Sequence, residues 1–296
     1  MTGPPPASGS GGATVVAAVL VAAVLHATWN ALAKSFSDRL AAFTLMGLAS
    51  VGCTAPALQF VPAPARAAWP ALGVSALLHT GYNLLLLASY RLGEFNQVYP
   101  LARGTGPLLV AAVAAGALHE HLGAAQLAGV LAVSGGIIAL SAGPARRVRS
   151  HVPAASARPA VLAALATGVM IASYTVVDGV GVRHSGTAIG YTAWLFALEG
   201  WAMPLYALAL RRGGLGRSLQ GHWLLGGLCG VLSVTAYGLV IWAQTRGALA
   251  AVAALRESSV VVAAAIGALV FHERFGRRRI FASVAIATGV VLLNFH

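Results

Sequence analysis

Charge is scarce in this chain. Only 9% of its 296 residues are charged, and only seven are acidic. Soluble domains carry about a quarter charged residues, so a water-exposed globule is a poor fit. Cysteine is scarcer still. Cys53 and Cys229 both lie in apolar runs, too few for a disulfide framework and without metal-ligand spacing. They read as small buried hydrophobes. No Walker motif is present, which excludes ATP hydrolysis by a P-loop. HExxH is absent too. The run His119-Glu120-His121 would place consecutive side chains on different helix faces, so it reads as a short turn. No metal and no cofactor is expected.

Apolar sequence is what the chain has in abundance. It is 58% hydrophobic, with a mean hydropathy of +0.80. Ten apolar segments cover about 13–33, 40–60, 70–90, 95–118, 122–142, 159–182, 188–210, 221–244, 248–271 and 277–295. Each approaches the roughly 20 residues that carry a helix across a 30 Å bilayer core. The expected fold class is an all-α membrane protein with ten transmembrane helices. Residues 1–12 are rich in Pro, Gly and Ser and read as a disordered tail. No basic residue precedes the first apolar run, so it reads as an uncleaved helix and not a signal peptide.

The net charge of +12 does not point to nucleic acid, because no basic stripe is interleaved with aromatics. Lys and Arg instead gather in the short connections and at the segment ends. They favour the first, third, fifth, seventh and ninth connections. By the positive-inside rule those connections face the cytoplasm, and both termini lie outside. The expected partners are a lipid bilayer and a small-molecule substrate, with the chain a monomer or homodimer.

A basic, Pro-rich linker at 143–158 divides the chain into two halves, 13–142 and 159–296. The halves share rare polar residues. Arg103 with Arg256, His119 with His272, Glu120 with Glu273 and Gly123 with Gly276 all recur at a spacing of 153. Tyr82 with Tyr237 and Arg91 with Arg246 recur at 155. A duplicated unit of five helices must insert its second copy upside down. The reading is therefore two inverted five-helix repeats, an arrangement that places a substrate site at the repeat interface near the midplane.

Ionisable residues inside spans cost a few kcal/mol each and are functional candidates by default. His26, Trp29 and Asn30 share a face of the first segment, and His79, Tyr82 and Asn83 share one of the third. Tyr99, Tyr174 and Tyr237 add rings with polar tips. Arg103 and Arg256 lie about 12 Å into their spans. A guanidinium fork suits a carboxylate, though Arg256 could instead pair with Glu257, and Arg103 could bridge helix carbonyls. Pro100, Gly104, Gly106 and Pro107 should loosen the fourth helix around Arg103; the second copy lacks them, so a break should be one-sided. Glu199, Asp178 and Glu257 are candidate proton carriers. Asp178 could equally be a helix-end acid paired with Arg183.

The stretches HATWNALAK (26–34), YPLARGTGPLLVA (99–111) and LRESSVVVAAAIGALVFHERFG (255–276), with the five-plus-five layout, resemble EamA-type transporters of the drug/metabolite transporter superfamily. The resemblance implies a multi-pass inner-membrane carrier built from inverted repeats. Members move small metabolites, often amino acids and related compounds, frequently outward. It implies a secondary transporter working by alternating access, with no catalytic residues. The rivals are a membrane-embedded enzyme using His26 and His79, and a non-transporting bundle.

Overall fold

Apolar segments this long leave the backbone one solution, because only a helix satisfies its own amides locally. The computed structural model describes residues 9–33, 35–92, 95–141, 157–211, 214–269 and 277–293. All of its regular elements there are helical. In chain order they are α1 (Gly9–Ala33), α2 (Arg39–Ala57), α3 (Trp69–Leu92), α4 (Phe95–Ala117), α5 (Ala124–Ser141), α6 (Ala157–Arg183), α7 (Ala188–Glu199), α8 (Ala202–Arg211), α9 (Leu215–Leu219), α10 (Trp223–Gln244), α11 (Leu249–Arg256), α12 (Ser259–Leu269) and α13 (Arg277–Leu292). A 3-10 turn at Arg66–Ala68 leads into α3.

Helix α1 begins at Gly9, inside the stretch read as a tail; residues 1–8 lie outside those described. Most of the linker, 142–156, also lies outside them, as do Glu273 and His272 of the repeat alignment. Among the described residues, six stretches are long and apolar enough to cross a membrane: Gly12–Ala33, Arg39–Ala57, Arg66–Ser89, Arg158–Arg183, Ala188–Arg211 and Trp223–Gln244. The ninth segment fails the length test because it is broken into α11 and α12, of 8 and 11 residues.

The helix break is one-sided, as expected, but it falls in the opposite half. Helix α4 runs unbroken through both prolines. Its glycines serve packing: a Cβ on Gly104 would lie 2.7 Å from Ile138 of α5, and one on Gly106 3.0 Å from Ile171 of α6. The Thr105 hydroxyl donates to the Leu101 and Ala102 carbonyls at 3.0 and 3.1 Å. The α11–α12 break contains neither Pro nor Gly. There the backbone tightens to i→i−3 bonds, Glu257 N to Ala254 O at 3.1 Å and Ser258 N to Leu255 O at 3.0 Å. The residue at the break is the wholly buried Glu257. In the seventh segment the break between α7 and α8 has a backbone cause. Pro204 has no N–H for the Gly200 carbonyl, so the ladder stops there.

The chain forms two compact units, and each draws on both sequence halves. One takes the described residues within Thr2–Asn83 and Val177–Gly247; the other takes those within Leu84–Val176 and Ala248–His296. Helices α3 and α6 each begin in one unit and end in the other.

In the first unit, α2 packs on α7, α8 and α10, and α1 on α10. Leu72, Val182, Tyr191, Leu195 and Ile241 form its core. Gly47 of α2 meets Gly200 so closely that a Cβ on Gly47 would run into the Gly200 carbonyl oxygen. In the second unit, α5 packs on α4, α11 and α13. Gly129 and Gly289 touch in the same manner, with 2.8 Å from a Gly129 Cβ to the Gly289 oxygen. A Cβ on Gly136 would lie 3.1 Å from the Ala282 oxygen.

Candidate functional site

Buried charge gathers in two places, one in each unit. In the first unit His79 of α3 stands between two acids. Its Nε2 is 3.2 Å from Oδ2 of Asp178 on α6, and its Nδ1 is 3.0 Å from Oε2 of Glu199 on α7. The Glu199 contact is an ion-pair distance without linear hydrogen-bond geometry. Asp178 is wholly buried and is bound by two phenols. Tyr191 donates to Oδ1 at 3.0 Å and Tyr237 to Oδ2 at 2.6 Å. The Tyr237 ring stands edge-on to His79 at 5.3 Å. Gly181 makes room for Tyr191, since a Cβ there would lie 2.5 Å from its hydroxyl.

His79, Tyr237, Asp178 and Glu199 stand out in the sequence, and the fold brings all four together. Tyr191 does not stand out there. One tyrosine in an apolar run carries no signal beyond that of its neighbours. The pairing of Asp178 with Arg183 gives way to this cluster. Arg183 donates through Nε and Nη2 to the Gln244 and Gly247 carbonyls, both at 2.9 Å, at the C-terminal end of α10.

The second unit inverts the balance of charge. Arg103 of α4 and Arg256 of α11 are 2% and 4% exposed, and both reach Glu257, which is not exposed at all. Arg103 Nε is 2.9 Å from Oε2 and Arg256 Nε donates to Oε1 at 3.3 Å. Arg103 Nη2 also donates to the Ser259 hydroxyl at 3.2 Å. Both guanidiniums thus reach a carboxylate of their own chain. Glu120 lies in the turn between α4 and α5, where His119 takes a left-handed φ of 53°. It accepts from Leu249 N at 2.9 Å, which caps the start of α11 and steadies the helix that carries Arg256.

The remaining candidates lie on α1, α3, α4 and α6. On α1, Asn30 donates its amide to the His26 carbonyl at 2.8 Å. The His26 and Trp29 rings meet edge-on at 4.9 Å, and the Trp29 indole nitrogen is buried without a hydrogen-bond partner among the described residues. Tyr82 and Asn83 lie half-buried on α3, just beyond His79. Tyr174 is buried on the part of α6 that belongs to the second unit. Tyr99 lies on α4, but its side chain is outside those described.

What the geometry offers is charge buried within apolar helices, the pattern of ion and substrate pathways. The model of the EamA-like transporter family matches residues 158–295. That half of the chain is EamA-like in sequence. EamA members are membrane transporters of small molecules, in keeping with the resemblance read from sequence. The EamA match covers α6 to α13, and so includes Asp178, Tyr191, Glu199, Tyr237, Arg256 and Glu257. No curated protein matches the chain. A solved structure described only as "Crystal structure of protein" superposes with a TM-score of 0.70 at 18% identity. It covers 95% of this chain, which in turn covers 96% of it. At that identity the likeness speaks for the fold alone.

Proposed function

We propose that the protein is a secondary transporter that moves a small organic compound by alternating access. The compound is an amino acid or a related anionic or zwitterionic metabolite. The observation that carries this reading is the match to the EamA-like family over a stretch whose apolar helices hold Asp178, Glu199, Arg256 and Glu257. Membrane-spanning segments tolerate such residues where they serve a substrate or ion.

The same reading takes the fold as ten spans in two inverted repeats, in the inner membrane, with both termini extracytoplasmic. The glycine contacts support it. Gly47 and Gly200 are 153 residues apart, the spacing that aligns Arg103 with Arg256. Gly129 and Ala282 share that spacing, as do Gly136 and Gly289. The observed contacts pair Gly129 with Gly289 and Gly136 with Ala282. Such an exchange of partners is what a two-fold relation produces.

Arg103 and Arg256 would bind the substrate carboxylate in competition with Glu257. His26, Trp29, Asn30, Tyr82, Asn83, Tyr99, Tyr174, His79 and Tyr237 would supply aromatic and hydrogen-bonding contacts. Reconstituted vesicles test this. Amino acids and organic acids should exchange across the membrane without ATP, and uptake should fall at least tenfold in Arg103→Ala and Arg256→Ala. Equal transport of anionic compounds by both variants would remove the arginines from substrate binding. No transport of any compound would remove the function itself.

A further inference from the structure

The three acids named from sequence as candidate proton carriers differ sharply in their surroundings, and the difference separates their roles. Glu257 lies between two guanidiniums that stay protonated in a protein. Asp178 receives two phenol donors and faces His79 Nε2. Its oxygens act as acceptors on every side. Glu199 faces His79 Nδ1 alone among these groups, and its side chain is 10% exposed where that of Asp178 is 0%.

A neutral imidazole carries one N–H. With Nε2–H directed at Asp178, Nδ1 presents a lone pair to Glu199. A lone pair and an ionised carboxylate at 3.0 Å repel each other, so the contact needs a proton. The arrangement with the fewest buried charges puts that proton on Glu199. The protonated Glu199 then faces the His79 Nδ1 lone pair at 3.0 Å without charge repulsion, and His79 Nε2–H donates to Asp178 Oδ2. One negative charge remains, on Asp178, where the two phenols meet it.

We propose that the Glu199–His79 contact is a site that binds one exchangeable proton, with Asp178, Tyr191 and Tyr237 as its fixed anchor. On loading, a proton from water adds to a Glu199 oxygen, and the protonated acid faces His79 Nδ1. On release, the same O–H bond breaks and the proton returns to water. The ionised Glu199 then faces the Nδ1 lone pair, and the contact between α3 and α7 loses its bridge. His79 faces Asp178 from α6, Glu199 from α7 and the Tyr237 ring from α10, and Tyr191 from α7 reaches Asp178. Asp178, held by its two phenol donors, is the anchor, and the one exchangeable proton is carried at Glu199. The meaning of this site as a coupling device rests on the transporter reading.

Infrared titration of the full chain in detergent tests the proposal without any substrate. One sample carries glutamate labelled with 13C at the side-chain carboxyl, and a second carries aspartate so labelled. The unmutated protein should lose a protonated-carboxyl band in one step as pH rises, and only the glutamate label should shift that band. The step should vanish in Glu199→Gln, and its midpoint should move in His79→Gln. A step that follows the aspartate label, or one that survives Glu199→Gln, overturns the proposal. Where a variant does not fold, the label comparison in the unmutated protein still decides between glutamate and aspartate. Vesicles that transport without this step would leave the transport reading standing and remove the proton site; the step without transport would do the reverse.

Discussion

The two compact units are packed alike and charged differently. Each is held by a pair of glycines at which two backbones touch, Gly47 with Gly200 in one and Gly129 with Gly289 in the other. Each also buries a small ionisable cluster. The first cluster joins two carboxylates to one imidazole. The second joins two guanidiniums to one carboxylate. Arginine does not give up its proton in a protein, so that cluster holds two fixed positive charges.

The sharpest test of that contrast is to remove the acid from each cluster. Glu257→Gln leaves two buried guanidiniums without their counter-ion. Breaking a buried ion pair from one side costs about 3–5 kcal/mol, so the thermal midpoint in detergent should drop steeply. Glu199→Gln should cost under about 1 kcal/mol, because a Gln amide can face His79 Nδ1 without charge repulsion, as a protonated acid does. Equal losses from the two variants would erase the distinction between the clusters.

The shared packing predicts equality where the charge predicts difference. Gly47→Ala drives a Cβ into a backbone oxygen, and Gly129→Ala puts one at 2.8 Å from another. Neither neighbour is a flexible side chain, so helices must separate. Overpacking of this kind costs about 1–3 kcal/mol. Both variants should lower the unfolding midpoint to a similar degree, and loss in one unit alone would mean that the other glycine contact is incidental. A smaller effect isolates the anchor in the first unit. Tyr237→Phe removes one of two phenol donors from Asp178, a hydrogen bond to a charged group worth about 1.5 kcal/mol. The Tyr191→Phe change should cost a similar amount, and both variants should keep the glutamate infrared step.

Much of this is legible in the sequence, for a simple reason. An ionisable residue in an apolar run is costly, so His79, Asp178, Glu199, Arg103, Arg256 and Glu257 all stand out against Ala, Val and Leu. Their grouping is harder to read. His79 and Asp178 are 99 residues apart, and only the fold brings them together. Tyr191 gives no signal because tyrosine is at home in apolar helices. The position of the helix break follows a different chemistry from the one the sequence suggests. Pro100 and Pro107 point to α4 giving way, yet α4 runs through both, and the ladder is interrupted at Glu257. The ninth apolar segment is divided by that break into helices of 8 and 11 residues.

The smallest effect is expected outside both clusters, at an ion pair whose partners are about a third exposed. Asp38 is the N-cap of α2, and its Oδ1 accepts from Leu40 N at 3.1 Å and Ala41 N at 3.2 Å. It also forms a two-pronged pair with Arg211 of α8, including an Nη2 contact of 2.9 Å to Oδ1. That guanidinium, joined by the backbone amides, holds the Asp38 carboxyl below its usual value. A depressed carboxylate stabilises the fold above its unfolded-state value, and the gain is lost as pH falls through the folded value. The contribution of Asp38 should therefore be complete near neutrality and disappear only in acid, below about pH 4. Asp38→Ala removes cap and pair together and should cost about 1 kcal/mol. Asp38→Asn keeps the cap and loses only a solvent-screened pair, so it should cost about half that or less. Thermal unfolding at neutral pH ranks the two. If Asn costs as much as Ala, the pair with Arg211 matters more than the cap in holding the start of α2 to α8.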